Sequence, residues 1–306
     1  MAPKYYRWLG LAGTLFFVIY FLFRPTWPTP DKLLLFLTFA FMAVGQAKAL
    51  LKHLLPFVGL LLVYEAFRGM VPSLNSRVNF TWMPMIDRAL FGSLPTVTLQ
   101  RWLWHGHTQW YDFGLYFVYM LHFIMPIALA LVVWKKREHY YWRVVATYVL
   151  LSFVGFVTFL LFPAAPPWMA SDQGVIPHIT RISSQVWASL GIKDFPSVYS
   201  KISPNPVAAL PSLHAGYSGV FALYISQLFK SKWTWAAWLY PALIVFGTVY
   251  QGEHYVIDAI AGAAYAILTY LLVRQYYPNA ERKVRVVWVR YSRSMKQLII
   301  RRKEQR

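Results

Sequence analysis

Between Trp8 and Val273 the chain passes through eight apolar stretches, and this recurrence limits the fold more than any other feature. They run Trp8-Phe23, Leu33-Gln46, Leu54-Phe67, Tyr111-Trp134, Tyr140-Phe162, Pro211-Phe229, Trp233-Tyr250 and His254-Val273. Crossing a hydrocarbon core takes roughly 20 mostly apolar residues as a helix, so each stretch is read as a crossing, the second and third being short. Composition agrees: 58% of residues are hydrophobic and 13% charged, with a mean hydropathy of +0.41, too apolar for an ordinary soluble enzyme. The expected fold is an all-α, polytopic membrane helix bundle of about eight transmembrane helices.

Orientation follows from Lys and Arg, which accumulate in cytoplasmic loops. Both termini placed inside puts 21 of the 30 basic residues on the cytoplasmic side. Trp8-Phe23 follows Lys4 and Arg7 as a secretory signal would, but "RPTWPTP" succeeds it in place of a small-residue cleavage site, so it is read as a retained anchor. The absence of cysteine excludes disulfides and thiolate metal sites.

A net charge of +19 raises the possibility of a nucleic-acid partner. Eleven of the basic residues, however, fall within "RQYYPNAERKVRVVWVRYSRSMKQLIIRRKEQR" at the end of the chain, interleaved with Val, Trp, Leu and Ile. A basic amphipathic tail beside a membrane fits an anionic lipid surface, and no nucleic-acid role is expected.

Two segments on the outer side are too long for simple turns, Arg68 to Trp110 and Pro163 to Leu210. The second holds seven prolines, including "FPAAPPW", and reads as an ordered or partly ordered cap. Three parts are therefore expected: membrane helices with an outer interfacial segment over 1-110, a catalytic helical core over 111-275 carrying the cap at 163-210, and a basic cytoplasmic tail over 276-306. His105 and His107 in "LWHGHTQWYDF" are two apart, but with no nearby carboxylate or third histidine they are not read as a metal site.

Two short stretches carry chemistry. In "ALPSLHAGYS" His214 stands near the start of a small-residue helix, and in "TVYQGEHYVIDAIAGAAYA" His254 and Asp258 are four apart, on one helical face. The carboxylate fixes the imidazole tautomer and leaves the other ring nitrogen free as nucleophile or base. Counting along the helices places both histidines at the outer face, each near a helix N-terminus, whose N–H groups suit a phosphate. Ser212 adds a hydroxyl, and Gly216, Gly219 and Gly262 permit close helix approach. The constellation points to phosphoryl transfer, one histidine attacking phosphorus and the other protonating the leaving oxygen.

"PSLH" followed about forty residues later by "HYVID" resembles the second and third motifs of the type 2 phosphatidic acid phosphatase superfamily, PSGH and SRxxxxxHxxxD. The resemblance implies His254 as the nucleophile that becomes phosphohistidine, Asp258 as its orienting acid, His214 as general acid and Ser212 as a phosphate contact, with no metal or other cofactor. Leu213 stands where the family has Gly, Gly247 and Thr248 where it has Ser and a phosphate-clamping Arg, and the family's first motif, KxxxxxxRP, has no match. "FPAAPPW", "PSLHAGYS" and "GEHYVID" together are similar to the branch containing inositol phosphorylceramide synthase, and the resemblance implies transfer of a phospho-headgroup, inositol phosphate-like, to a lipid or polyol hydroxyl.

With Arg missing at 248, the phosphate needs another cation. Arg68, three residues after Glu65 in "YEAFRG", is the expected clamp, Glu65 holding its guanidinium; a structural ion pair is the equal alternative. Arg181 is a weaker candidate, as are Lys201 and Arg88, while Tyr250 and Glu253 flank the nucleophile and are expected to shape the acceptor site. His122, in "YMLHFIMP", is expected to hydrogen-bond a neighbouring helix, the alternative being that it faces the same pocket. The expectation is thus an integral membrane enzyme, in the plasma membrane with its site on the extracytoplasmic face. A lipid phosphate or polyprenyl pyrophosphate phosphatase is the alternative. A carrier or scaffold is the rival from another class, disfavoured because the ionisable residues gather at one face and no repeat is visible.

Overall fold

The computed structural model describes residues 4–23, 30–191 and 205–304, with side chains described up to Arg282. Among the described residues it contains helices and no strand. In chain order they are α1 Lys4–Phe23, α2 Pro30–Ala43, α3 Ala47–Leu74, α4 Trp82–Phe91, α5 Pro95–Leu103, α6 Trp110–Met120, α7 Met125–Lys136, α8 Tyr141–Leu161, α9 Pro167–Asp172, α10 Ile182–Ser189, α11 Leu213–Leu228, α12 Leu239–Tyr250 and α13 Val256–Glu304.

Among the described residues four helices are long and apolar enough to cross a membrane: α1, α3, α8 with the turn preceding it, and α13 as far as Arg282. The pair α6 and α7 makes a fifth if taken as one bent span. Helices α2, α11 and α12 have 14, 16 and 12 residues, which at about 1.5 Å per residue come short of a full hydrocarbon core. Large apolar side chains cover the outside, among them Leu62, Val157, Ile267 and Leu271, as expected of a surface facing lipid tails.

Two expected helices are built differently. Tyr111-Trp134 is not one helix: α6 and α7 meet at 56° across a 3₁₀ turn, Leu121–Phe123. Pro126 is the cause, since its ring lacks an N–H and would clash with the carbonyl of His122 four residues earlier. The last helix does not begin at His254 or end at Val273; it starts at Val256 and its backbone continues to Glu304, through Pro278 and the basic tail.

Helix α8 is central, packed against α3, α7, α11 and α13. The largest buried cluster joins these helices through Phe57, Tyr148, Leu151, Val220 and Ala266. Small residues set the spacing of the two motif helices. A Cβ on Gly262 would lie 2.0 Å from the Ser212 carbonyl, one on Gly216 would lie 3.3 Å from the Gly262 carbonyl, and one on Gly219 would lie 3.3 Å from the Ala266 Cβ. The close approach expected of these glycines is present, and it lets the Ser212 N–H donate to the Asp258 carbonyl at 2.9 Å, tying α11 to α13 by backbone.

The proline-rich cap is partly helical, holding α9 and α10, and is stitched to the bundle. Ala164 bridges in parallel to Asn79 on one side and Ala208 on the other. The Asn79 N–H donates to the Pro163 carbonyl at 2.8 Å and the Ala164 N–H to the Val207 carbonyl at 2.9 Å. Three segments far apart in sequence thereby converge over the start of α11.

Candidate active site

His254 lies in the loop between α12 and α13, two residues ahead of the helix on which the sequence placed it. The loop is tight because Thr248 receives two N–H groups on its carbonyl, from Glu253 at 3.0 Å and His254 at 3.2 Å, while Gly252 adopts φ +79°, a left-handed conformation that favours glycine. Asp258 lies in the first turn of α13 and reaches back to accept the Tyr255 N–H at 2.8 Å, the reciprocal half of a capping box. Its Oδ2 stands 3.7 Å from His254 Nδ1, an ion-pair distance rather than a direct hydrogen bond.

The other nitrogen of His254, Nε2, is 3.1 Å from His214 Nδ1. His254 and Asp258 are 5% and 0% exposed, so this polar line lies in a low-dielectric interior. The His214 ring is held on both faces, stacked on Tyr119 with centroids 4.4 Å apart and against His122 at 4.3 Å. His122 in turn stacks on Tyr217 at 4.7 Å, and Tyr217 bonds the Ser152 hydroxyl at 2.5 Å.

These histidines line a cavity between α3, the α6–α7 break and α11, together with Glu65, Arg68, Glu253 and Asn205. His122 faces this cavity and makes no hydrogen bond to a neighbouring helix among the described residues, so the second of its two expected placements is the one observed. The signal was Pro126: a helix broken at 121–124 turns its side chain out of register with the intact faces.

Arg68 lies in the cavity wall, its Nε and Nη2 donating to Glu65 Oε2 at 3.0 and 2.7 Å. Both readings of the pair remain compatible, since the ion pair exists and its guanidinium edges the cavity. Arg181 is engaged elsewhere. Its Nε and Nη2 donate to Glu253 at 2.9 and 3.2 Å, Ser183 donates to the same carboxylate at 2.5 Å, and the guanidinium lies 4.1 Å over Trp168. The pair clasps the cap to the residue before His254.

Tyr250 is fully buried and donates to Asp112 at 2.8 Å, locking the end of α12 to the start of α6, away from the cavity lining. Ser212 is the N-cap of α11, its hydroxyl accepting the Ala215 N–H at 3.3 Å. Arg88 is exposed on α4 outside the cavity, and Lys201 lies outside the described residues. His107 bonds the Gln109 side chain at 2.8 Å, and among the described residues no three His, Asp or Glu side chains converge as metal ligands.

One expectation is corrected. The N-terminus of α13 does not offer free N–H groups to a phosphate: Asp87, fully buried on α4, accepts those of Val256 and Ile257, each at 2.9 Å. Burial pushes its carboxyl above the usual range, against the pull of those two donors. Asp87 thus caps the helix carrying Asp258 from about 170 positions away, a role its place in "DRALFG" did not reveal.

The departures from the motifs are also explained. Leu213 packs on Gly155 of α8, where an added Cβ would lie 3.0 Å from the leucine, so the bulk absent from one helix is supplied by the other. Thr248 is buried and donates to the Ile244 and Val245 carbonyls of its own helix at 2.8 and 3.2 Å.

Comparisons with known proteins agree with this geometry. Over 243 residues the chain is 28% identical to phosphoinositol dihydroceramide synthase of Bacteroides thetaiotaomicron, covering 76% of this chain and 79% of the relative. It is 26% identical over 179 residues to inositol phosphorylceramide synthase of Candida albicans, and 25% identical over 135 residues to the inositol phosphorylceramide synthase catalytic subunit aur1 of Schizosaccharomyces pombe. Those matches take in 55% and 42% of this chain, but only 36% and 32% of the fungal proteins. No solved structure matches. The model of the PAP2 superfamily matches residues 81–272, which contain both histidines, Asp258 and the Asp87 cap. An apolar helical bundle that joins two histidines and an acid across motifs forty residues apart, with that match over most of its length, identifies the chain as an integral membrane enzyme belonging to the PAP2 superfamily of phosphatases and phosphotransferases.

Proposed function

We propose that the protein transfers a phospho-headgroup, inositol phosphate-like, from one membrane lipid to the hydroxyl of another through a phosphohistidine at His254. The observation that carries this reading is the contact between His214 Nδ1 and His254 Nε2, backed by Asp258. The relatives named for inositol phosphorylceramide synthesis support the headgroup.

With Asp258 ionised, the neutral His254 carries its proton on Nδ1 and presents a lone pair at Nε2. That lone pair accepts the N–H of His214 in the resting enzyme. A lipid phosphodiester entering the cavity inserts between the two rings. Nε2 attacks phosphorus, the bond from phosphorus to the lipid oxygen breaks, and His214, protonated on both ring nitrogens beside the bound phosphate, passes its Nδ1 proton to the departing alkoxide and is left neutral. His214, now a base, removes the proton of the acceptor hydroxyl, whose oxygen displaces His254 and restores both rings. The 3.7 Å gap to Asp258 shortens as His254 becomes cationic, since such hydrogen bonds tighten in the reacting complex.

Arg68 is the phosphate clamp in this scheme. It supplies the cation missing at Thr248, with Glu65 fixing the planar fork. Ser212 is retained as a contact through its hydroxyl hydrogen. Arg181 and Tyr250 act at one remove, by fixing the loop that carries His254. No metal takes part, so activity withstands a chelator.

The reading extends to eight crossings with both termini cytoplasmic, a site on the extracytoplasmic face of the plasma membrane, and a basic tail resting on anionic lipid. The three-part division at 110 and 275 is kept, with Glu65, Arg68 and Asp87 contributed from the first part. Mass spectrometry of products, with inositol phospholipid as donor and with or without a long-chain hydroxyl lipid as acceptor, tests the function. Appearance of the inositol-phosphoryl acceptor lipid supports transfer, and release of a phosphate from lipid phosphates alone would instead make the protein a phosphatase.

A further inference from the structure

Besides His254 Nδ1, which faces Asp258, three nitrogens in the cavity wall are buried without a hydrogen-bond partner among the described residues: His214 Nε2, His122 Nδ1 and Asn205 Nδ2. Native proteins leave few such atoms, because burying an unpaired polar group is costly, so a cluster around one cavity marks the outline of a ligand. His214 belongs to the proposed chemistry. The other two have no part in it.

Asn205 is 2% exposed, and its Oδ1 accepts the Val207 N–H at 3.1 Å. That bond fixes which end of the amide is which, leaving Nδ2 as a donor. The carbonyl of Val207 accepts the Ala164 N–H, so this donor stands on a stitched segment. His122 uses the faces of its ring against His214 and Tyr217, and the edge carrying Nδ1 stays open. It too is held rigidly, in the turn that Pro126 imposes.

Neither an amide nor an imidazole brings the fixed charge that the Arg68 guanidinium holds in the same cavity. A phosphate is met best by the guanidinium. Uncharged nitrogens beside aromatic rings match hydroxyl groups on a carbon ring, which both donate and accept hydrogen bonds and offer C–H faces to tyrosines such as Tyr119. We propose that Asn205 Nδ2 and His122 Nδ1 form a polyol subsite that holds the hydroxyls of the transferred headgroup while Arg68 and the paired histidines hold its phosphate. The inference rests on the phosphotransfer reading and adds to it the residues that choose the headgroup.

Binding to purified protein in detergent, by calorimetry, tests the subsite with two probes, myo-inositol 1-phosphate and inorganic phosphate. The wild-type protein binds the polyol phosphate at least tenfold more tightly, and Asn205→Ala and His122→Phe each cut that preference by fivefold or more. His122→Phe keeps a ring against His214, and Asn205→Asp keeps the acceptor for Val207 while removing the donor, so one variant in each position preserves the packing. Equal binding of the two probes by the wild type, or an undiminished preference in Asn205→Asp and His122→Phe, would overturn the subsite. The same preparations are assayed for phosphohistidine formation. A phosphoenzyme with no polyol preference removes the subsite alone, and no phosphoenzyme in an active wild type removes the reading beneath it.

Discussion

The cap end of the motif helices and the N-terminal helix pair are both made of apolar helices, but they are held by different forces. Between α1 and α2 the contacts are rings on rings, Phe17 lying 6.0 Å from Phe39 and 6.4 Å from Phe36. A Cβ on Gly10 would lie 2.3 Å from the Ala43 amide nitrogen, so small residues draw these helices together as they do in the core. At the cap end, polar bonds of long sequence range cross the same kind of packing. Asp87 caps α13, Gln100 donates to the Thr180 and Tyr250 carbonyls at 2.7 and 2.9 Å, and Arg181 clasps Glu253. Apolar packing brings helices together; directional bonds fix the loop and helix starts that carry His254 and Asp258.

The contrast is sharpest in the histidine pair. His214→Ala should lower turnover by about 10⁴-fold with the protein still folded, as loss of a member of a concerted catalytic set does. A single-turnover assay of lipid product reads this, and a loss below tenfold would return His214 to a packing role. Next in size is Arg68→Ala, which should lower kcat/KM by about 10²-fold, with Arg68→Lys recovering only part because an ammonium lacks the planar fork. Unchanged kinetics in the alanine variant would leave Glu65 and Arg68 a structural pair.

Weaker effects follow from positioning. Asp87→Ala leaves the Val256 and Ile257 N–H groups without their acceptor and should lower kcat by about tenfold, since loss of a cap costs about 0.5 to 2 kcal/mol. Asp87→Asn should recover part of the rate, a rescue that simple unfolding would not show. The smallest effect belongs to the other region: Phe17→Ala should lower the melting temperature in detergent while kcat/KM stays within about twofold, because among the described residues no polar bond from α1 reaches the cavity. A large loss of kcat in that variant would erase the distinction between the two regions.

Much of this was legible in the sequence. Apolar runs marked α1, α3, α8 and α13, and the spacing of His214, His254 and Asp258 picked out three side chains that the structure brings together. What the sequence hid is long-range. Asp87 looked like one acid among surface residues, and Asn205 carried no signal at all, because a buried amide is recognised only by what its oxygen bonds and its nitrogen does not. For His122 the pocket was one of two readings, and Pro126 decides between them: four residues on, it forbids the helical bond to the His122 carbonyl and turns the ring into the cavity. The starts of the motif helices were placed two residues early, since Pro211 and Ser212 precede α11, with Ser212 as its cap, and His254 and Tyr255 belong to the loop before α13.

The central claim is that His254 Nε2 becomes covalently bonded to phosphorus. Enzyme mixed with donor lipid labelled at phosphorus, quenched within one turnover and digested, should yield an acid-labile, alkali-stable label on the peptide containing His254, with none in His254→Ala. A wild-type enzyme that turns over without such a label, or that carries it on another residue, would contradict the account.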